Sequence, residues 1–139
     1  MTENDDRISR NREIIAEFRA NAGVVAAFEG TPLLLLHTTG AKSGAIRVSP
    51  VAYLPHGDQY VVFAANGGRD RDPAWYRNLT AKPDSTVELG DRTVPVRARI
   101  TKGPERDALW DQGVAAMPMF AQFVDATERV IPVVVLEPA

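Results

Sequence analysis

Leu33-Leu34-Leu35-Leu36-His37-Thr38 stands between Pro32 and Gly40, and its first four positions are all leucine. It is too short for a core helix and shows no polar face, so it predicts a strand covered on both sides. Strand-length stretches recur after it at Val48–Leu54, Tyr60–Ala65, Ser85–Leu89, Thr93–Ile100 and Val130–Leu136. Two of the connections are tight. Pro55-His56-Gly57-Asp58 has turn composition, and Gly90-Asp91-Arg92 suits a hairpin.

Helical patterns lie at the margins of this set and between its members. Residues 4–22 place Ile8, Ile14, Ile15 and Phe18 at near-helical spacing, with Asn4, Asp5 or Asp6 as candidate caps and Gly23 as the stop. A short apolar segment, Val24 to Phe28, follows. Asp72-Pro73 predicts a helix start, Asp as cap and Pro at the first helical position, for Ala74–Ala81, which ends near Pro83. Pro104 opens a further helix to about Ala116, and Pro118 interrupts it before a shorter helical piece. Strands and helices do not alternate, which argues against a parallel Rossmann sheet. The expectation is an α+β chain: a barrel of about six mostly antiparallel strands with an N-terminal helix and flanking helices.

The 139 residues fit one domain, with residues 1–7 as a candidate disordered lead. Sixteen basic against eighteen acidic side chains argue against nucleic-acid binding. The chain has no cysteine, hence no disulfide, thiolate metal site or cysteine nucleophile. No run reaches the ~18 apolar residues of a membrane span, and Met1–Glu13 has no apolar leader, so a cytoplasmic location is expected. The apolar surface of Ile14, Ile15, Phe18, Val24, Val25 and Phe28 could cap the barrel, meet a partner or touch a membrane; capping is the ordinary outcome for such a helix.

Thr38-Thr39-Gly40-Ala41-Lys42-Ser43-Gly44, with Arg47 close behind, carries the clearest chemistry. Two glycines allow close backbone approach, hydroxyls and amides supply donors, and two cations lie within six positions. Such a set suits phosphate or carboxylate. From Gly30 to Gly57 there is no Asp or Glu to repel an anion. A solvated hairpin with ordinary basic residues is the plain alternative. The order is not that of a Walker loop, because Ala45-Ile46-Arg47-Val48 reads as strand where that motif needs helix. Ala64-Ala65-Asn66-Gly67-Gly68 leaves a central strand with side chains small enough for a flat ligand to reach the backbone, or makes a simple turn. Trp75 and Tyr76 could cover a ligand or belong to the core. His37, beside the leucines, reads as a hydrogen-bonded structural histidine, and His56 as a solvated turn residue. Asp70, Asp72, Asp107 and Asp111 lack metal-ligand spacing, so no metal site is expected. With no nucleophile motif either, any hard chemical step falls to a cofactor.

Four blocks occur in order: Leu-Leu-x-Thr-Thr-Gly-x-Lys-Ser-Gly-x-x-Arg, Ala-Ala-Asn-Gly-Gly, Asp-Pro-x-Trp-Tyr-x-Asn-Leu-x-Ala-x-Pro and Thr-x-Arg-x-Ile-Pro-Val-x-Val-Leu-Glu-Pro. Together they resemble the deazaflavin-dependent nitroreductase family, the quinone-reductase-like branch of the split β-barrel oxidoreductases, from about Phe18 to the C-terminus. The resemblance implies a split β-barrel, the FMN-binding type of barrel, that binds reduced coenzyme F-420, an 8-hydroxy-5-deazaflavin with a phosphate and an oligoglutamate tail. It implies that Lys42, Ser43, Gly44 and Arg47 hold the phosphate and tail, and that Pro50 and Val51 border the ring. Ala64, Ala65, Asn66, Gly67 and Gly68 would approach the ring with backbone groups, and Trp75, Tyr76 and Asn78 would close the pocket.

On the substrate side the sequence departs from the nitroimidazole-reducing members. Their pocket tyrosines and serine correspond here to Met117, Phe120, Phe123, Ala52 and Ala65. The hydroxyls that would orient a nitro group are missing, and a Met- and Phe-lined pocket implies a flat apolar acceptor such as a quinone or enone. Phe120 and Phe123 could equally pack the barrel end. The expectation is therefore a deazaflavin-dependent reductase, monomer or weak dimer, whose catalytic residue the sequence does not single out. A flavin mononucleotide (FMN) enzyme and a non-catalytic deazaflavin-binding protein are the two alternatives.

Overall fold

The computed structural model describes residues 3–28, 30–65, 72–118, 120, 122 and 130–139. Helix α1 (Glu3–Ala20) and a single 3-10 turn (Ala26–Phe28) lead into β1 (Leu33–Thr39), β2 (Ile46–His56) and β3 (Gln59–Phe63). Helix α2 (Ala74–Ala81) precedes the β4 (Asp84–Glu88) and β5 (Thr93–Ile100) hairpin, then α3 (Gly103–Ala116) and β6 (Val133–Pro138). The strands close into a barrel in the order β1-β2-β3-β6-β5-β4, with β4 returning to β1. Every pair is antiparallel. The α+β barrel expected from the sequence is the observed architecture.

The four leucines of β1 show why a continuous apolar run forms a strand here. Side chains alternate across a strand. Leu34 and Leu36 enter the barrel interior with Val51, Val62, Val87, Val96, Val134 and Leu136. Leu33 and Leu35 face outward, where Phe18 and Val25 cover them together with Ile14, Ile15, Phe28 and Val48. Each fully buried leucine is worth roughly 1.5–3 kcal/mol, so both faces contribute. The same division recurs on the far wall. Val62 points in, while Val61, Phe63, Val133 and Val135 point out beneath Leu109 of α3.

Helix α1 is tied down at its C-terminal end. The Gly23 N–H donates to the Phe18 carbonyl at 2.8 Å, and Gly23 has φ +93°, a left-handed geometry that costs glycine nothing. The turn then meets Gly90 backbone to backbone; a Cβ on Gly90 would collide with the Ala22 carbonyl. Arg19 reaches over this seam and donates through Nε and Nη2 to the Glu88 carboxylate, at 3.2 and 2.7 Å. The helix therefore covers the outer wall at β1 and β2. Val24 stays out of that contact, 67% exposed.

Several sequence expectations shift. Helix α1 already runs at Glu3, so Asn4, Asp5 and Asp6 lie inside its first turn rather than capping it. Pro73 is the N-cap of α2, one position later than expected, and Asp72 precedes the cap. Strand β2 runs from Ile46 through His56, so His56 ends a strand, exposed, and Gly57-Asp58 alone make the turn. Strand β3 stops at Phe63. Strand β6 begins at Val133, not Val130, because Pro132 has no N–H to give to a ladder. The Pro132 carbonyl instead accepts from Ala64 N–H at 2.9 Å. The helical piece after Pro118 falls mostly outside the described residues. Among those described, no helix is long and apolar enough to cross a membrane.

Candidate functional site

One end of the barrel is closed by α2. Its alternating contacts put Trp75 and Leu79 into the interior cluster, with Tyr76 packed at its edge. Trp75 is thus a core aromatic. Burial, with Asp72 adding to it, pushes the Tyr76 phenol above its usual range, so it stays a neutral donor at ordinary pH.

Between these residues sits Asn78, 7% exposed. Its Nδ2 donates to Thr38 Oγ1 at 3.1 Å, and its Oδ1 accepts from the Ala41 N–H at 3.0 Å. One side chain therefore joins α2 to the last turn of β1 and to the loop beyond it. Thr38 is itself 1% exposed, so a lost partner there would leave a hydroxyl stranded in the interior.

The loop closes on itself. Gly40 N–H donates to the Ala45 carbonyl at 2.7 Å, and Gly44 N–H to the Gly40 carbonyl at 2.9 Å. Ser43 Oγ accepts from Ala45 N–H at 3.2 Å, which leaves the hydroxyl proton free to turn outward. Gly44 adopts φ +72°, with open space where a Cβ would project. Lys42, Ser43 and Gly44 are exposed on this loop. Arg47 is one residue into β2, opposite Thr38 in the ladder, and cross-strand partners share a face. It is exposed at the mouth that α2 covers. Arg19, Arg97, Arg99 and Arg106 have carboxylate partners, whereas Lys42 and Arg47, like Lys82, Arg92 and Lys102 elsewhere on the surface, have none among the described residues. What sets Lys42 and Arg47 apart is their place on one acid-free stretch.

The remaining expected residues lie elsewhere. Val51 enters the barrel interior, and Ala64 joins it there. Pro50, the adjacent position, takes the opposite face of β2 with Ala52, so the pair does not present two side chains to one surface. Ala52, Met117 and Phe120 come together on the outer wall, with Phe63, Trp110 and Leu54. The rings of Phe63 and Phe120 are 5.2 Å apart, and Trp110 stacks on Phe120 at 6.2 Å. Arg106 lies 5.2 Å over Trp110 and donates Nε and Nη2 to the Ile131 carbonyl, at 3.2 and 2.7 Å. Ala65 is buried. Asn66, Gly67, Gly68 and Phe123, like Asp70, lie outside the described residues.

Sequence reasoning passed over Trp110 and Phe63. The Trp110, Val114 and Met117 spacing of four and then three does announce an apolar helix face. Nothing local points to Thr38 as the partner of Asn78. His37 behaves as expected, with Nε2 2.5 Å from Glu88 Oε2. Among the described residues no group of His, Asp and Glu could hold a metal.

Residues 10–138 match the family model described as F420H(2)-dependent quinone reductase. The chain belongs to this family. An F420H(2)-dependent quinone reductase of Mycobacterium tuberculosis is 38% identical over 108 residues, covering 76% of this chain and 72% of that protein. A solved structure described as an F420-H2 dependent reductase has 38% identity and a TM-score of 0.70, covering 76% of this chain and 94% of its own. Another, described as a domain-swapped dimer, has 34% identity and a TM-score of 0.72 and covers 97% of this chain and 100% of its own. The F420H(2)-dependent quinone reductases are an oxidoreductase family named for a reduced coenzyme as electron source, and the family resemblance read from the four sequence blocks is the one found.

Proposed function

We propose that this chain is a reductase that passes hydride from reduced coenzyme F-420 to a flat apolar electrophile, a quinone or an enone. The observation that carries the reading is the barrel mouth. There Lys42 and Arg47, exposed and without carboxylate partners among the described residues, flank a loop with a free serine hydroxyl proton and a glycine open to solvent. This donor set fits a phosphate and an acidic tail: two cations, a hydroxyl and unobstructed backbone, in a stretch without a single acid.

When bound, the reduced deazaflavin supplies the hydride. The chain supplies placement. Lys42, Ser43, Gly44 and Arg47 hold the charged end. Trp75 and Tyr76, carried by α2, keep water from the barrel mouth, and the Tyr76 hydroxyl remains a hydrogen-bond donor. Pro50 and Ala52 offer an apolar strip on the outer face of β2, where Ala52 meets Met117 and Phe120. No hydroxyl stands among these, which favours acceptors whose reduced form is protonated by solvent. Holding a donor and acceptor in register is the larger part of what such a protein can contribute. The chain works as a monomer or weak dimer; the relative described as a domain-swapped dimer supports pairing.

A titration panel tests the reading. The purified chain should quench or shift deazaflavin fluorescence at micromolar or lower concentration, and bind FMN and nicotinamide cofactors more weakly. A yellow protein that releases FMN on denaturation would overturn the cofactor assignment. Tight deazaflavin binding without turnover of quinones, enones or nitroaromatics would leave a binding protein and overturn the activity.

A further inference from the structure

We infer that Asn78 is a positioning residue, which aims the cationic loop at the phosphate of the cofactor without touching the cofactor itself. The inference deepens the reading above and rests on it. Both ends of the Asn78 amide are already engaged inside the protein, Nδ2 with Thr38 Oγ1 at 3.1 Å and Oδ1 with Ala41 N–H at 3.0 Å. The side chain is buried, so it has little surface left to offer a ligand.

The loop it holds is cross-linked internally and springs from the ladder at the Thr39–Ile46 pair, with Asn78 as its side-chain tie to α2. Gly40 to Ala45 are cross-linked by their own backbone bonds, and Gly40 packs so closely on Ser43 that a Cβ there would stand 2.6 Å from Oγ. Such a unit moves as one body. Lys42 and Ser43 project from it, and Arg47 leaves along β2 on the same face as Thr38. The bond from Asn78 to Ala41 fixes the rotation of that body relative to α2. Ala41 is exposed, so its N–H would find water if Asn78 were removed. The loop would then remain folded but lose its aim. The consequence falls on the distance from Lys42 and Ser43 to a phosphate, and not on the surfaces that meet the ring.

The test compares two probes: the complete coenzyme and the phosphate-free 8-hydroxy-5-deazaflavin chromophore with its ribityl chain. Affinities are read by fluorescence titration on wild type, Asn78→Ala, Thr38→Val and Thr38→Ser, each first shown to be folded by its thermal melt. Asn78→Ala should weaken the complete coenzyme roughly tenfold or more and change the phosphate-free chromophore by less than about twofold. Thr38→Val should give a smaller loss with the same selectivity, Thr38→Ser should restore wild-type affinity, and the double variant should lose no more than Asn78→Ala. If Asn78→Ala does not fold, the Thr38→Val and Thr38→Ser pair carries the same comparison. Equal weakening of both probes would mean that Asn78 meets the ring directly, and would overturn the inference. Unchanged affinity for both probes in a folded variant would overturn it too. A wild-type chain that binds neither probe would remove the functional reading, and the role of Asn78 with it.

Discussion

Gly113 of α3 rests against the ring of Phe63 on β3 with no room for a side chain: a Cβ there would stand 2.5 Å from Cζ and 2.7 Å from Cε1. Phe63 lies at the floor of the outer cluster that contains Met117 and Phe120. Gly113→Ala should therefore destabilise the protein by about 1–3 kcal/mol, the usual cost of overpacking, although alanine favours helix over glycine by nearly 1 kcal/mol. Phe63→Leu in the same chain should recover part of the loss. Urea melts of the single and double variants check this, and a stabilised Gly113→Ala would contradict the packing described.

Neutralising the barrel mouth should weaken the charged ligand without disturbing the fold. Lys42→Ala with Arg47→Ala should cost at most about 1.5–3 kcal/mol of coenzyme affinity for each contact, and the remaining binding should depend less on salt. Titrations at low and high ionic strength measure both effects. An unchanged affinity would remove the anion-binding role of this loop.

The Arg19–Glu88–His37 group gives a pH dependence with a definite sign. The Glu88 carboxyl lies below its ordinary value of 4.5, first because Arg19 donates to it, with His37 adding and burial opposing. A carboxyl whose pKa is depressed by folding stabilises the folded state above its ordinary value, and that stabilisation is lost as pH falls through the folded value. Glu88→Gln should therefore melt lower than wild type at neutral pH, and the gap should close in acid, below the ordinary carboxylate range. Thermal melts from about pH 7 to about pH 3 trace it. A gap that stays constant across that range would mean the ionised form contributes nothing.

Ser85 Oγ is buried with no hydrogen-bond partner among the described residues. It shares the inward parity of Val87 on β4, facing an apolar interior. Ser85→Ala should thus be neutral or stabilising, within about 1 kcal/mol, because a hydroxyl that bonds to nothing has already lost its hydration. A loss well beyond that in a chemical melt would reveal a partner for the hydroxyl.

The barrel was legible in the sequence because its strands are short, apolar and bounded by breakers. β1 needed only its four leucines, and the β4–β5 hairpin only its Gly-Asp-Arg connection. Where the reading failed, a backbone detail decided the outcome. Val130 and Ile131 continue the apolar run of β6, but Pro132 cannot donate to the ladder, so the strand starts at Val133, three residues later than the run suggests. For Pro50 and Val51 the sequence hid only a parity: they are neighbours in the chain, and the two-residue period of β2 puts their side chains on opposite faces. The cationic loop stood out by composition alone. Its tether did not, since Thr38 and Asn78 are separated by 40 positions and neither carries a charge or a motif that names the other. Likewise, Ala52, Met117 and Phe120 became neighbours only when α3 folded over the outer wall.

The seam at Ala22, Gly23 and Gly90 carries one more consequence. With bare peptide pressed on bare peptide, the leading helix has a hard stop at its carboxyl end, and the β4–β5 tip has no slack to accept an extra residue. An insertion at either side of this seam must therefore shift the helix or the hairpin tip as a whole, because neither backbone has room to give.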